Sequence, residues 1–520
     1  MGVWGTFDLE NFGDVVFPLI ARRELSERLP ESTLRTFSPY GYRHPIRWDG
    51  GEPAEPFGSW SPDRAAELAG QLDCVLVGGG EIIHTHDELL APHYGVNPSE
   101  VGTIAPSRFF IEGLGPELER ACPVIWNAVG VPFDPAPEEA GRLRAALASR
   151  PYVAVRDETS KARLEAAGVD REIAVVPDSG FLLPRLFPPE VLAKRLEFLR
   201  LMEWYPREEP ALVVQGNRSL VELAPGIARA VSRVREELDA SIVTVETGPC
   251  HGDGEFADAL RGALPGRVYR LPTEAGVEDL VAAIASSAGF IGISFHGNVM
   301  AFVSGRPSVM LNPNGQSKLD GLARMIGNID AVVEKADDIP KAFEYVSSLG
   351  PQPALVAALQ ERVDRHLDRI AEIAEGAAEA RGASGERSKR DRIEELEERL
   401  RLLERAHEGR GRRLARERLA FADRVEGLRA EQEEDRRARW EEVVGLHEEI
   451  RQHQETISWL RAVVGEREEE AAGLKEELAR REEELAGTKR SLEDLLSTRT
   501  FRYTASIRNL YGRLRRLFRR

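Results

Sequence analysis

The segment Gly289-Phe-Ile-Gly-Ile-Ser-Phe-His-Gly-Asn-Val-Met-Ala301 carries the strongest chemical signal in this 520-residue chain. A strand should end at Ser294, a turn should carry His296 and Gly297, and a helix should start at about Asn298. An imidazole at a strand tip beside a helix N-terminus is suited to general acid or base work near neutral pH. A lone loop histidine is usually inert; the Ser-x-His-Gly setting and the helix start raise this one above that baseline. Arg156 follows the apolar run Val153-Ala-Val155, and a guanidinium there makes a bidentate partner for a carboxylate or phosphate. The same residue read as a helix-capping pair with Asp157 is compatible with that role. Asp178, after Val176-Pro177, either closes the same strand tip or lines the crevice between the domains.

Glycines mark the other candidate contacts. Gly78, Gly79 and Gly80 follow the run Cys74 to Val77, where three successive glycines cost chain entropy and let a ligand approach the backbone. A tight turn explains them equally well. Near the start, Asn11-Phe-Gly13-Asp14 links a first strand to a helix, with Asp14 expected as the N-cap and amide N–H groups presented to an anion. His84, His86 and Asp87 have a superficial metal spacing, but nothing else in the sequence completes a set, so no metal is expected.

These residues need a scaffold, and the pattern supplies one. To about residue 345, short apolar runs ending in Gly, Asn or Asp alternate with amphipathic stretches, as in parallel sheets covered on both faces. Runs at Cys74–Gly78, Val124–Asn127, Val153–Arg156 and Ile173–Pro177 form one series. Runs at Ala211–Gln215, Ser241–Val245, Phe290–Ile293 and Ser308–Leu311 form a second. The expected fold class is α/β: two Rossmann-like domains, residues 1–203 and 204–350, facing a cleft that holds the ligand beyond the strands' carboxyl ends. A helix and linker (351–385) should follow, then a long α-helical coiled coil (386–497) and a basic amphipathic tail (498–520).

Charged residues make up 30% of the chain, concentrated beyond about residue 385, and the net charge of −17 argues against nucleic-acid binding. Three scattered cysteines suit a reducing compartment. Neither a secretory signal nor a membrane span is legible, so the expected location is the cytoplasm. From Val443 onward, Val443, Ile450, Ile457, Val464, Ala471, Leu478, Leu485 and Leu492 keep a heptad register, whereas polar residues recur at the facing position. Homo-oligomerisation through this segment is expected, with a parallel dimer as the default. Arg499 to Arg520 holds eight arginines and no acid, with apolar residues at steps of three and four. That pattern suits a peripheral anchor on the anionic inner face of the plasma membrane, and a partner enzyme is the other reading.

Taken together, Asn11-Phe-Gly-Asp14, Leu76-Val-Gly-Gly-Gly80, Val155-Arg-Asp157 with Ser160, Val176-Pro-Asp178 and Ser294-Phe-His-Gly297 resemble the polysaccharide pyruvyl transferase family, in matching order over roughly residues 1–345. The resemblance implies a fold like that of two-domain (GT-B-like) glycosyltransferases. It also implies transfer of pyruvate from phosphoenolpyruvate to a saccharide as a ketal, lipid-linked acceptors included, with no cofactor. On that basis His296 matches the catalytic histidine, Arg156 holds the donor, and Lys318 in Asn314-Gly-Gln-Ser-Lys318 matches a basic residue after the last strand. Asn11, Gly13, Asp14, Gly78, Gly79, Gly80, Asp178, Ser294 and Gly297 complete the substrate-binding set. One departure is Val214-Gln-Gly-Asn-Arg218: either Arg218 is the family's arginine displaced by a turn, or the donor pocket differs. Two alternatives stay open, a nucleotide-sugar glycosyltransferase of the same architecture and a non-catalytic scaffold for glycan assembly.

Overall fold

The computed structural model describes residues 1–41, 54–273 and 275–382. The coiled coil and the basic tail expected from the sequence lie outside the described residues.

Strands β1 (Gly2–Trp4), β2 (Arg35–Ser38), β3 (Glu55–Pro56), β4 (Val75–Gly78), β5 (Val124–Val129), β6 (Val153–Val155) and β7 (Ala174–Val175) form one sheet. Its order is β3-β2-β1-β4-β5-β6-β7, and every pairing is parallel. A second parallel sheet contains β8 (Ala211–Gln215), β9 (Ser241–Thr244), β10 (Val268–Arg270), β11 (Gly289–Gly292), β12 (Ser308–Leu311) and β13 (Val332–Val333). Its order is β10-β9-β8-β11-β12-β13. Both sheets are doubly wound, and the order reverses between β1 and β4 in one and between β8 and β11 in the other. Adjacent connections diverge at such a point and leave a crevice at the strands' carboxyl ends.

Each sheet has its own apolar core. Trp4, Phe37, Phe57, Phe109 and Trp126 pack in the first lobe; Leu212, Val214, Val231, Phe256 and Ile291 pack in the second. Central strands β4, β5 and β8 are buried on both faces, so their side chains need not alternate apolar and polar. Among the described residues no helix is long and apolar enough to cross a membrane.

Within the described residues the chain crosses between lobes twice. Helix Pro189–Leu201 packs on Val277–Ala285 of the second lobe, where Arg195 pairs with Asp279. Helix Pro353–Gly382, placed in the sequence reading with a separate linker, returns to the first lobe and packs on Phe12–Arg28. Its Asp364 accepts from Arg28 at 3.0 Å and from Arg185 at 2.7 and 2.8 Å. Arg362 donates to the Val175 carbonyl at 3.1 Å. Buried His366 donates from Nε2 to Asn127 Oδ1 at 2.8 Å and accepts at Nδ1 from the Tyr152 hydroxyl at 2.9 Å.

Candidate active site

Helix Phe295–Val303 starts three residues earlier than the sequence reading set it, because Ser294 serves as N-cap and accepts from the Gly297 amide at 3.2 Å. His296 therefore sits in the first helical turn. The Ser294 amide in turn donates to Gln215 Oε1 at 2.9 Å, which ties the tips of β8 and β11 together.

From that turn the His296 ring reaches the first lobe. Its Nε2 lies 3.2 Å from Asp178 Oδ1, which also accepts from the Gly180 amide at 2.8 Å. Burial opposes ionisation of Asp178, yet the facing His296 and Arg156 hold its carboxyl below the usual range. The carboxylate orients the imidazole, with Nε2–H donating and Nδ1 left to handle a proton. Phe17 stands edge-on to the ring at 5.3 Å. Two glycines allow this approach. A Cβ on Gly13 would come 2.4 Å from Nδ1, and one on Gly180 would come 2.9 Å from the ring's Cδ2. The result is a histidine 6% exposed, more enclosed than a residue facing an open cleft.

Beside this pair lies a charged cluster. Arg156 is 3% exposed and stacks its guanidinium over Phe295 at 4.7 Å, crossing from one lobe to the other. Its Nη2 stands 3.0 Å from Glu81 Oε1, within ion-pair range, but Nε and Nη2 have no aligned hydrogen-bond acceptor. A Cβ on Gly130 would come 2.9 Å from the same Nη2. Lys318, in the first turn of helix Ser317–Met325, reaches Glu81 Oε2 at 3.3 Å from the second lobe. Burial pushes the Glu81 carboxyl up, but Lys318 and Arg156 together hold it low. One carboxylate thus bridges cations from both lobes. Asp178 Oδ2 is likewise buried without a hydrogen-bond partner.

The N-terminal loop is built differently from the sequence expectation. The cap of helix Phe12–Arg28 is Asn11, whose side chain accepts from the Gly13 amide at 3.1 Å, and Asp14 stands inside the first turn. Asp14 accepts from the Thr6 hydroxyl at 2.9 Å, and burial pushes its carboxyl up to about 6. The Phe12 amide donates across the lobes to the Thr247 carbonyl at 2.6 Å. Gly79 and Gly80 have φ of +112° and +75°, which a side chain would strain, and a Cβ on Gly78 would come 2.9 Å from Asn127. Of the sequence-predicted residues, Gly13, Asp178 and Gly297 gather at His296, and Arg156 and Lys318 join through Glu81. Arg218 goes elsewhere: it is exposed and held by Glu255 at 2.5 to 3.0 Å. Glu81, Gly130 and Gly180 were missed. An acid directly after the glycine triplet was a readable signal for Glu81; the two glycines declare themselves through neighbours distant in sequence.

A family model described as polysaccharide pyruvyl transferase matches residues 11–315, a range that holds Asn11 through Gly297 but stops short of Lys318. No curated protein matches the chain. Among solved structures, UDP-GlcNAc 2-epimerase from Methanocaldococcus jannaschii is 12% identical, with a TM-score of 0.41, covering 66% of this chain and 91% of its own. The Neisseria meningitidis UDP-GlcNAc 2-epimerase is 14% identical, with a TM-score of 0.43, covering 69% and 98%. The N-terminal domain of trehalose-6-phosphate phosphatase from Candida albicans is 10% identical, with a TM-score of 0.43, covering 72% and 96%.

Proposed function

The chain belongs to the polysaccharide pyruvyl transferase family, and from that premise we propose that it moves pyruvate from phosphoenolpyruvate to a pair of saccharide hydroxyls as a cyclic ketal. The observation that carries this reading is the His296–Asp178 pair, 3.2 Å apart and joining the two lobes beside the Arg156–Glu81–Lys318 cluster. Arg156 and Lys318 take the donor's carboxylate and phosphate, displacing Glu81 from between them.

His296 Nδ1–H gives its proton to the donor's methylene carbon, and positive charge develops at the adjacent carbon bearing the phosphate. One saccharide hydroxyl adds there and returns its proton to Nδ1. The second hydroxyl then displaces phosphate at the same carbon, and its proton leaves with the phosphate. Asp178 holds the Nε2–H side of the ring throughout, so the imidazolium is met by a fixed negative charge. With His296 this enclosed, the side chains around it must move to admit substrate. The segments 386–497 and 498–520 would gather copies of the enzyme near a membrane-borne acceptor.

The test is incubation of the full chain with phosphoenolpyruvate and candidate saccharides. Phosphate release matched by a pyruvyl mass gain on the saccharide is expected. His296→Gln should abolish both while leaving the unfolding transition in place. Consumption of a nucleotide-sugar, with phosphoenolpyruvate untouched, would replace this reading by the glycosyltransferase one.

A further inference from the structure

A second cluster of chemically capable side chains lies next to Asn11, outside the proposed catalytic set. Cys250 and His251 sit on the short turn Pro249–His251 that follows β9, and His93 comes from helix Ala91–Tyr94 of the first lobe. One ligand atom from each of the three falls within 4.8 Å of the others. We propose that His93, Cys250 and His251 form a binding site for a divalent cation of the zinc class, clamping the two lobes beside the active site.

The donor set points to that class of ion. Two imidazoles and one thiolate suit a borderline-soft cation, whereas magnesium or calcium would call for oxygen ligands. Tetrahedral zinc needs its ligand atoms roughly 3.5 Å apart, given Zn–N near 2.0 Å and Zn–S near 2.3 Å. Contraction from the observed spacing therefore takes shifts of about 1 Å, within the reach of side-chain rotation. All three residues are half-buried, so an ion can reach them from solvent. The rings of His93 and His251 meet edge to face, with centroids 4.4 Å apart and planes at 77°.

The surroundings are those of a ligand shell. His93 Nδ1–H donates to the Cys250 carbonyl at 3.3 Å, a bond that fixes the tautomer and leaves Nε2 as the metal-facing atom. Burial holds the His93 and His251 rings in the neutral form that can ligate, and burial with the nearby Asp14, Asp253 and Glu10 carboxylates pushes the Cys250 thiol up, so the ion itself must draw off that proton. Binding releases the thiol proton to solvent, so the site adds one net positive charge. Three protein ligands leave a fourth position for water or substrate oxygen. Asn11 connects this site to catalysis: its Nδ2 lies 3.3 Å from His251 Nε2, a contact that ligation through that ring nitrogen replaces, while its Oδ1 caps the helix whose Gly13 abuts His296.

The site is testable without turnover. The purified full chain, stripped by chelator, is dialysed against Zn²⁺ and its bound metal measured by mass spectrometry. The same preparation is loaded with Co²⁺ and its absorption spectrum recorded. The wild type should hold one more zinc per chain than Cys250→Ser or His93→Ala, and the cobalt form should show a thiolate charge-transfer band that Cys250→Ser lacks. Because His407, His447 and His453 can bind metal weakly, the difference between wild type and variant is the readout. Circular dichroism of each variant separates lost ligation from lost folding, and His251→Gln gives a third, milder probe. Equal zinc content in wild type and all folded variants, or a cobalt spectrum unchanged without Cys250, would overturn the site. Either result leaves the pyruvyl-transfer reading untouched, because neither measures phosphoenolpyruvate.

Discussion

At the scale of single residues, the position of His296 depends on what is missing around it. Gly13 lies in a helical turn, where alanine is ordinarily favoured over glycine by up to about 1 kcal/mol. Its absent Cβ is what admits the imidazole, since a methyl there would stand 2.4 Å from Nδ1. Gly13→Ala therefore sets two effects against each other: gain in helix propensity offsets strain from the displaced ring. The unfolding midpoint should move little, while kcat falls by about a hundredfold, because a shift of about 1 Å in a catalytic group is enough for that loss. Steady-state kinetics beside a thermal melt checks it. A variant with unchanged kcat would mean that the ring tolerates displacement and that its placement is not catalytic.

Elements act through their ends. Helix Glu158–Ala166 is capped by Asp157, which accepts from the Ser160 amide at 2.7 Å and lies 3.5 Å from Arg156 Nε. Removing the cap by Asp157→Ala should cost about 1 kcal/mol of stability, read from denaturant unfolding. It should also raise KM for the anionic donor more than it lowers kcat, since Arg156 loses a neighbour while His296 does not. Equal loss in both constants would place Asp157 nearer the chemistry than its contacts indicate. The central strands and these caps were legible because burial on both faces forces continuous apolar runs, as at β4, β5 and β8. Strands β2, β3, β10 and β13 were not, being two to four residues long at or next to sheet edges, with polar side chains such as Arg35, Glu55 and Arg270 in them. The site divided along the same line. His296, Arg156 and Asp178 could be read from local strand-tip patterns, but Asn11 as the helix cap depended on backbone geometry. The His93–Cys250 contact spans 157 residues, and no local pattern encodes it.

Over the whole molecule, the return helix holds the two-lobed body together, and its seat contains a pH-sensitive group. His366 is neutral there, donating to Asn127 and accepting from Tyr152, and burial pushes its imidazole down to about 3. An unfolded histidine titrates near 6.5, so below that value the unfolded chain binds a proton that the folded one refuses. The contribution is complete above pH 6.5 and is lost as pH falls toward 3, about 2 kcal/mol of it between pH 7 and 5. Buried acids oppose this trend: Asp8 and Asp14 are pushed up to about 6 and Asp253 to about 7, and each favours folding as pH falls through that range. The net slope of the wild type mixes both signs, and a difference between variants isolates one. Glutamine at 366 keeps a donor and an acceptor but cannot take the proton. His366→Gln should start less stable at pH 7 and lose less on going to pH 5, by about 2 kcal/mol relative to wild type, in urea unfolding at the two pH values. Parallel losses would mean that the histidine charges without leaving its seat, and the docking of the return helix would then be insensitive to acid.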